Sequence, residues 1–236
     1  MKLCVIPARG GSQRIPRKNI RLFAGRPIIA WSIQAALESG LFDRVMVSTD
    51  DEEIAEVART HGAEIPFLRP RELADDHTGT NAVTKQAIRW HGEQGMAVKF
   101  ACCLYATAPF VRAGDLREGH DRLMGSGKSF AFSVTSFPFP IQRALRLNAQ
   151  GEVEAMYPEY RATRSQDLEP AWHDAGQFYW GRAAAFLNDE ILFSPASVPV
   201  ILPRHRVQDI DTEEDWLRAE LMFAALQSGG VSGNSA

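Results

Sequence analysis

The sequence is short of cysteine, of long apolar runs and of net charge. Its three cysteines, Cys4, Cys102 and Cys103, are an odd number inside strand-like runs, with no Cys-x-x-Cys or Cys/His spacing. A disulfide framework and a zinc site are therefore not expected, and the thiols read as reduced core residues of a cytoplasmic protein. The longest mainly apolar stretch, residues 100–111, contains Thr107 and Pro109, well short of the ~20 residues that cross a membrane. The apolar run after Met1 is too short for the core of a secretory signal, so export is not expected either. Lys and Arg number 26 against 29 Asp and Glu, a formal charge of −3, which gives no field of the kind that gathers nucleic acid. Hydrophobic residues at 45% and charged residues at 23% exclude intrinsic disorder and suit one large globular core.

What the sequence has is a rhythm. Apolar strand-like runs at 2–7, 44–48, 64–68, 99–105, 129–134, 176–180, 198–202 and 206–210 alternate with helical patterns. The helices run from Pro27 to Gly40, from the N-cap candidates Asp50 and Asp51 to Gly62, over 78–93, near 114–124 and from Thr212. Strand–helix alternation predicts an α/β fold with a mainly parallel sheet and helices on both faces. The rhythm breaks at 136–173, a proline-punctuated and charged stretch with an Asn148–Gly151 turn, which reads as an inserted lobe or dimer arm. The core is expected in 1–135 and 174–226, with a disordered tail over 227–236.

After the first run comes Pro7-Ala8-Arg9-Gly10-Gly11-Ser12-Gln13-Arg14-Ile15-Pro16-Arg17-Lys18-Asn19, with four Arg, one Lys and no acid. Adjacent glycines permit backbone conformations that turn several N–H groups toward one anion, and the cations add charge-assisted bonds. A loop leaving the carboxyl end of the first parallel strand lies at the ligand edge of such a sheet. Neither G-x-x-x-x-G-K-[ST] nor G-x-G-x-x-G is present. Far away in sequence, Asp209 and Asp211 flank Ile210. If they end a strand, both carboxylates face one spot, where a hard cation such as Mg²⁺ would take one or both.

The glycine turn, with Val47-Ser48-Thr49-Asp50, Phe67-Leu68-Arg69-Pro70-Arg71-Glu72-Leu73-Ala74 and Asp209-Ile210-Asp211-Thr212, resembles the CMP-sialic acid synthetase family of cytidylyltransferases, through residue 226. The resemblance implies a Rossmann-like nucleotidyltransferase sheet with a small dimerisation lobe. It implies that CTP is held by Arg9, the Gly10, Gly11 and Ser12 backbone, Lys18, Asn19 and Arg69. Gln13 stands where many relatives have Lys, leaving Arg14, Arg17 and Lys18. Mg²⁺ would sit on Asp209 and Asp211, with Arg9, Lys18 and Asp211 the residues serving catalysis, in a homodimer whose lobes reach toward the partner's pocket. Thr78, Thr80 and Asn81 are candidates near the base.

The sugar pocket departs from the sialic acid pattern. Gln-Pro-Thr-Ser-Pro is replaced by Tyr105-Ala106-Thr107-Ala108-Pro109, and Asn-Gly-Ala-Ile-Tyr by the stretch Asp174-Ala175-Gly176-Gln177-Phe178-Tyr179-Trp180. The pocket residues are then Ala106, Gln177, Tyr179 and an arginine for the sugar carboxylate, Arg164 with Arg161 as its rival, while His173 and Asp174 are polar lining. Ala106 in place of a Gln amide removes a hydrogen-bonding group and predicts a less hydroxylated substrate. The variant resembles pseudaminic acid cytidylyltransferases. The expected partners are CTP and an acidic nine-carbon sugar, with a sialic or legionaminic acid as the alternative acceptor. From another class, a non-catalytic nucleotide-binding module is disfavoured because both aspartates are present.

Overall fold

Apolar strands and amphipathic helices do alternate along the chain, and the computed structural model describes residues 1–74 and 78–228. In order the elements are β1 (Lys2–Pro7), the two-residue strands β2 (Leu22–Phe23) and β3 (Arg26–Pro27), α1 (Ile28–Ser39), β4 (Arg44–Ser48) and α2 (Glu52–Thr60). Then come α3 (Thr80–Glu93), β5 (Phe100–Leu104), α4 (Ala113–Ser126), β6 (Phe130–Ser136), β7 (Leu145–Leu147) and β8 (Val153–Ala155). The chain closes with β9 (Trp172–Arg182), α5 (Ala183–Leu187), β10 (Ser197–Ile201) and α6 (Glu213–Ser228). The local signals act as sequence chemistry requires. Gly40 ends α1 in the left-handed region at φ 65°, and Asp51 caps α2 by accepting the Ile54 N–H at 3.0 Å.

Six strands form one sheet in the order β10-β6-β9-β5-β1-β4. β1 runs parallel to β4 and β5, and β10 parallel to β6. β9 is antiparallel to both its neighbours, so the sheet is mixed though mostly parallel. On one face Ile29 and Ile33 of α1, Ile54 of α2 and Leu116 of α4 pack against Cys4, Ile6, Val47 and Trp180. On the other, Val83 and Ala87 of α3 meet Leu3, Val5 and Met46, and α5 packs Phe186 against Phe130. With both faces covered, Gln177, Phe178, Tyr179 and Trp180 are all buried, where simple alternation expects only half of that strand in the core.

Two expected strands do not form. The 64–68 run makes a single bridge from Glu64 to Met46, because Pro66 has no N–H for a ladder. The 206–210 run leaves the sheet: Arg206 turns inward to a buried bidentate pair with Asp115 at 2.7 and 2.9 Å, while Ile210 inserts into a second core. That core, formed by Ile15, Phe23, Ile28, Phe110, Ile210, Trp216, Ala219 and Phe223, clamps the basic loop to α6. Gln227 and Ser228, assigned to the tail, belong to α6; residues 229–236 lie outside the described ones. Between β6 and β9, the hairpin β7–β8 turns at Asn148–Gly151, with the Asn148 N–H donating to the Glu152 carbonyl at 3.0 Å. No helix is long and apolar enough, among the described residues, to cross a membrane.

Candidate active site

The basic loop leaves the carboxyl end of β1 and is pinned by Ile15, which has no exposed surface. Its conformation is not that expected from paired glycines, since neither Gly10 nor Gly11 has a positive φ. Gly10 is needed for a different reason: a Cβ there would stand 2.7 Å from Asp51 Oδ2. Its N–H donates to Asp50 Oδ1 at 3.0 Å, and the Ser12 N–H donates to the Gly10 carbonyl at 3.0 Å. Those two amides are engaged within the chain, so the expected backbone cradle is not preformed. A Cβ on Gly11 would meet nothing within 4 Å, which leaves that side of the loop open to a ligand. Arg17 takes a left-handed conformation at φ 54° and gives its guanidinium to Asp51 at 2.6 and 3.0 Å and to Glu53 at 2.5 Å. It fastens the loop to α2 and is occupied there, unlike Arg14 and Lys18. The Arg17 hydrogen bonds hold the Asp51 carboxyl down at about 2, against desolvation.

Beside the loop lies a cleft of about 720 Å³ whose lining includes Arg9, Arg14, Lys18 and Arg69. Ser12 and Asn19 add polar groups, and Tyr105, Ala106 and Thr107 continue the wall beyond β5. The Asn19 amide donates to the Arg9 carbonyl at 2.9 Å. Arg69 is buried, with Nε on Ser48 Oγ at 3.0 Å and a second nitrogen on the Ser48 carbonyl. Desolvation lowers its pKa, Asp50 opposes this and Arg9 adds to it. Cations crowded at low exposure around an open volume fit an anion. Thr78 and Thr80 also line this cleft, whereas Asn81 lies in a separate groove with Lys85 and Arg89.

The second core brings the distant aspartates to this loop. Lys18 Nζ donates to the Ile210 carbonyl at 2.7 Å and to Asp211 Oδ1 at 3.3 Å, and Arg14 pairs with the same Oδ1 at 2.9 Å. Thr212 and Asp215 cap α6 reciprocally, each backbone N–H held by the other's side chain at 2.9 and 3.2 Å. Asp209 and Asp211 line a neighbouring cleft of about 500 Å³ with Asp174, His173 and Arg204. Their shared direction comes not from strand alternation but from Ile210, buried between them. Asp209 is open to solvent on one side and crowded on the others. Desolvation first, then Asp211, raise its pKa, Lys18 lowers it, and Asp215 and Asp174 add to the rise. A cation there would relieve that strain. Among the described residues no group of three or more His, Cys, Asp or Glu forms a metal nest; a carboxylate couplet suits Mg²⁺, which keeps water and phosphate oxygens in its shell.

The sugar residues fare unevenly. Tyr179 is nearly buried and donates to Asp174 Oδ2 at 2.5 Å, and Ala106 lines the first cleft. Gln177 does not reach a cleft: it is 2% exposed, and its amide donates to the Arg206 carbonyl at 2.6 Å. Arg164 does not either: 72% exposed in the 136–173 segment, it pairs with Asp167 at 2.7 Å. Sequence reasoning missed Tyr105. Set position by position against Gln-Pro-Thr-Ser-Pro, it is Tyr105 and not Ala106 that replaces the Gln, so a polar group is exchanged and not removed.

Comparison with known proteins agrees with this geometry. Residues 3–201 match the family described as cytidylyltransferase. A pseudaminic acid cytidylyltransferase of Campylobacter jejuni is 45% identical over 221 residues, covering 94% of this chain and 95% of that one. A CMP-N,N'-diacetyllegionaminic acid synthase of Legionella pneumophila is 32% identical over 236 residues, covering 97% and 99%. Among solved structures, a CMP:2-keto-3-deoxy-manno-octonic acid synthetase complexed with CTP superposes with a TM-score of 0.68 at 16% identity, covering 94% of this chain and 98% of that one, a likeness of fold.

Proposed function

The chain belongs to the cytidylyltransferase family, and on that premise we propose that it activates pseudaminic acid with CTP, giving the CMP-sugar and pyrophosphate. The observation that carries this reading is the meeting of a cation-lined cleft with a carboxylate couplet through Lys18, which touches Ile210 and Asp211 across 192 and 193 positions of sequence. The anomeric oxygen of the sugar forms a bond to the α-phosphorus, the bond from that phosphorus to the bridging oxygen breaks, and the hydroxyl proton leaves to solvent. Such a displacement asks for positioning and charge neutralisation, not for a protein nucleophile. Arg9, Lys18 and Arg69 hold the triphosphate, Asn19 fixes the loop through the Arg9 carbonyl, and the open side of Gly11 admits phosphate oxygens. Asp209 and Asp211 hold Mg²⁺, which when bound supplies Lewis-acid neutralisation of phosphate charge.

The test is pyrophosphate release with CTP, Mg²⁺ and a panel of acidic sugars. Turnover of pseudaminate is expected; turnover of N-acetylneuraminate but not pseudaminate overturns the choice of substrate, and nucleotide binding without any turnover favours a binding module. Asp211→Ala is expected to abolish turnover while leaving the fold intact, since its ion pair with Arg14 is exposed and such pairs contribute ~0–1 kcal/mol.

The same reading makes the protein a cytoplasmic homodimer joined through the 136–173 lobe. Buried, unpaired cysteines suit a reducing compartment. The lobe exposes Phe139, Leu145, Leu147 and Val153 together, more apolar side chain than an isolated hairpin leaves in water, and Arg164 would then serve the partner's pocket. Leu147→Asp is expected to halve the mass seen by light scattering; an unchanged mass removes the lobe from the interface.

A further inference from the structure

One hydrogen-bonded chain at the cleft has no part in the reaction as described. Tyr105 lines the nucleotide cleft, and its ring centroid lies 5.3 Å from that of Tyr179. Tyr179 donates to Asp174 Oδ2 at 2.5 Å, and Asp174 Oδ1 accepts the Gly176 N–H at 2.9 Å. Asp174 lines the neighbouring cleft that holds Asp209 and Asp211, so the three side chains span from one cleft to the other. Five residues separate Asp174 from Tyr179, which in a regular strand means opposite faces and ~17 Å along the axis. They meet because the pairing of β9 with β6 slips between Phe132 and Val134, where Gly176 takes φ 62°. A bulge of this kind re-aims side chains.

The chain has a direction. A phenol carries one proton, and Tyr179 commits its own to a carboxylate in a charge-assisted bond. Burial, with Tyr105 and Asp174 beside it, raises the Tyr179 pKa far above the usual phenol range, so that proton stays in place. Tyr179 then has only lone pairs to offer Tyr105, whose own proton points toward Tyr179 and whose lone pairs are left toward the cleft. Thr80, whose side chain also bonds to Tyr105, lines the same cleft.

We propose that the Tyr105 hydroxyl is an oriented acceptor for one N–H or O–H donor of the acceptor sugar, and that Tyr179 and Asp174 are positioning residues that set its polarity. This rests on the functional reading above and deepens it: the favoured substrate is an amino- or acylamino-bearing sugar acid with a donor at that point, and a deoxy or ether analogue is selected against. The nucleotide is a poor candidate for the contact, because the wall at Tyr105, Ala106 and Thr107 bears no cation and the chain ends in a carboxylate that repels phosphate.

The experiment varies the sugar at saturating CTP, and CTP at saturating sugar, for the wild type, Tyr105→Phe, Tyr179→Phe and the double variant, with a thermal melt for each. Tyr105→Phe is expected to raise the sugar KM ~10-fold, the range of one lost hydrogen bond, with the CTP KM within twofold. Tyr179→Phe raises it ~3-fold, and the double variant equals Tyr105→Phe alone, because the two act as one unit. An unchanged sugar KM in an active Tyr105→Phe enzyme, an equal rise in the CTP KM, or additive effects in the double variant overturn the proposal while the functional reading stands. No turnover of any acidic sugar by the wild type overturns both.

Discussion

Replacing Ile210 by alanine separates the support of the site from its chemistry. Ile210 has no exposed surface and packs in one cluster with Phe23, Phe110, Trp216 and Phe223. Three of those rings surround Phe23, at 6.4, 5.6 and 5.3 Å in edge-on contacts, an arrangement that cannot collapse into a void without losing its own contacts. Truncating a buried isoleucine costs ~2–5 kcal/mol, with the upper half applying where the site cannot relax, so ~3.5 kcal/mol is expected. At ~2–4 °C per kcal/mol for a chain of this size, the melting temperature should fall by ~7–14 °C, and the urea midpoint should drop with an unchanged slope. Ile201→Ala, 49% exposed on the edge strand β10, is the matched control and should stay within ~1 kcal/mol. At low temperature, where the Ile210→Ala protein is folded, its kcat/KM should still fall, because Lys18 loses its fixed carbonyl partner and the carboxylates their common anchor. A melt within 2 °C of wild type refutes the packing argument. A large drop in stability with full kcat/KM refutes the claim that this core aligns the loop with the aspartates.

Two further outcomes test the loop. The Asp51 carboxyl sits at about 2 when folded against 3.8 for the free group, so its contribution is present above pH ~4 and disappears as pH falls through about 2; the gap caps it at ~2.4 kcal/mol, and solvent around Arg17, 38% exposed, screens it to ~1 kcal/mol. Arg17→Met should flatten the stability profile between pH 4 and 2 by that amount in urea titrations, and an identical profile would show the pair to be idle. Gly10→Ala should lower stability and weaken CTP binding, measured by calorimetry, because its methyl meets Asp51 at 2.7 Å. Gly11→Ala, which meets no protein atom within 4 Å, should weaken CTP binding with no change in the melt; if both substitutions leave the affinity intact, the loop does not receive the triphosphate.

Elements with strong local chemistry were legible in the sequence: Pro27 to Gly40 brackets α1, Asp51 before an apolar stripe begins α2, and the β1, β4 and β5 runs lie within a residue or two of their predicted ends. The failures share a cause. Residues 64–68 and 206–210 have strand-like composition, yet Pro66 lacks a donor in one, and in the other Arg206 and Ile210 find better partners in Asp115 and in the second core, both distant in sequence. The same limit explains the site. Periodicity puts Gln177 and Tyr179 on one face of a strand, which would aim both at the sugar. One slipped residue at Gly176 sends Tyr179 to Asp174 and Gln177 to the Arg206 carbonyl, because a register change inverts which side chains face which layer. Nothing local signals that slip beyond the glycine itself. By contrast, the approach of Lys18 to Asp211 had a readable cause: an isoleucine between two aspartates must bury, and Ile15 in the basic loop must bury too, so an apolar pocket common to both would draw the opposite charges together before any ligand arrives.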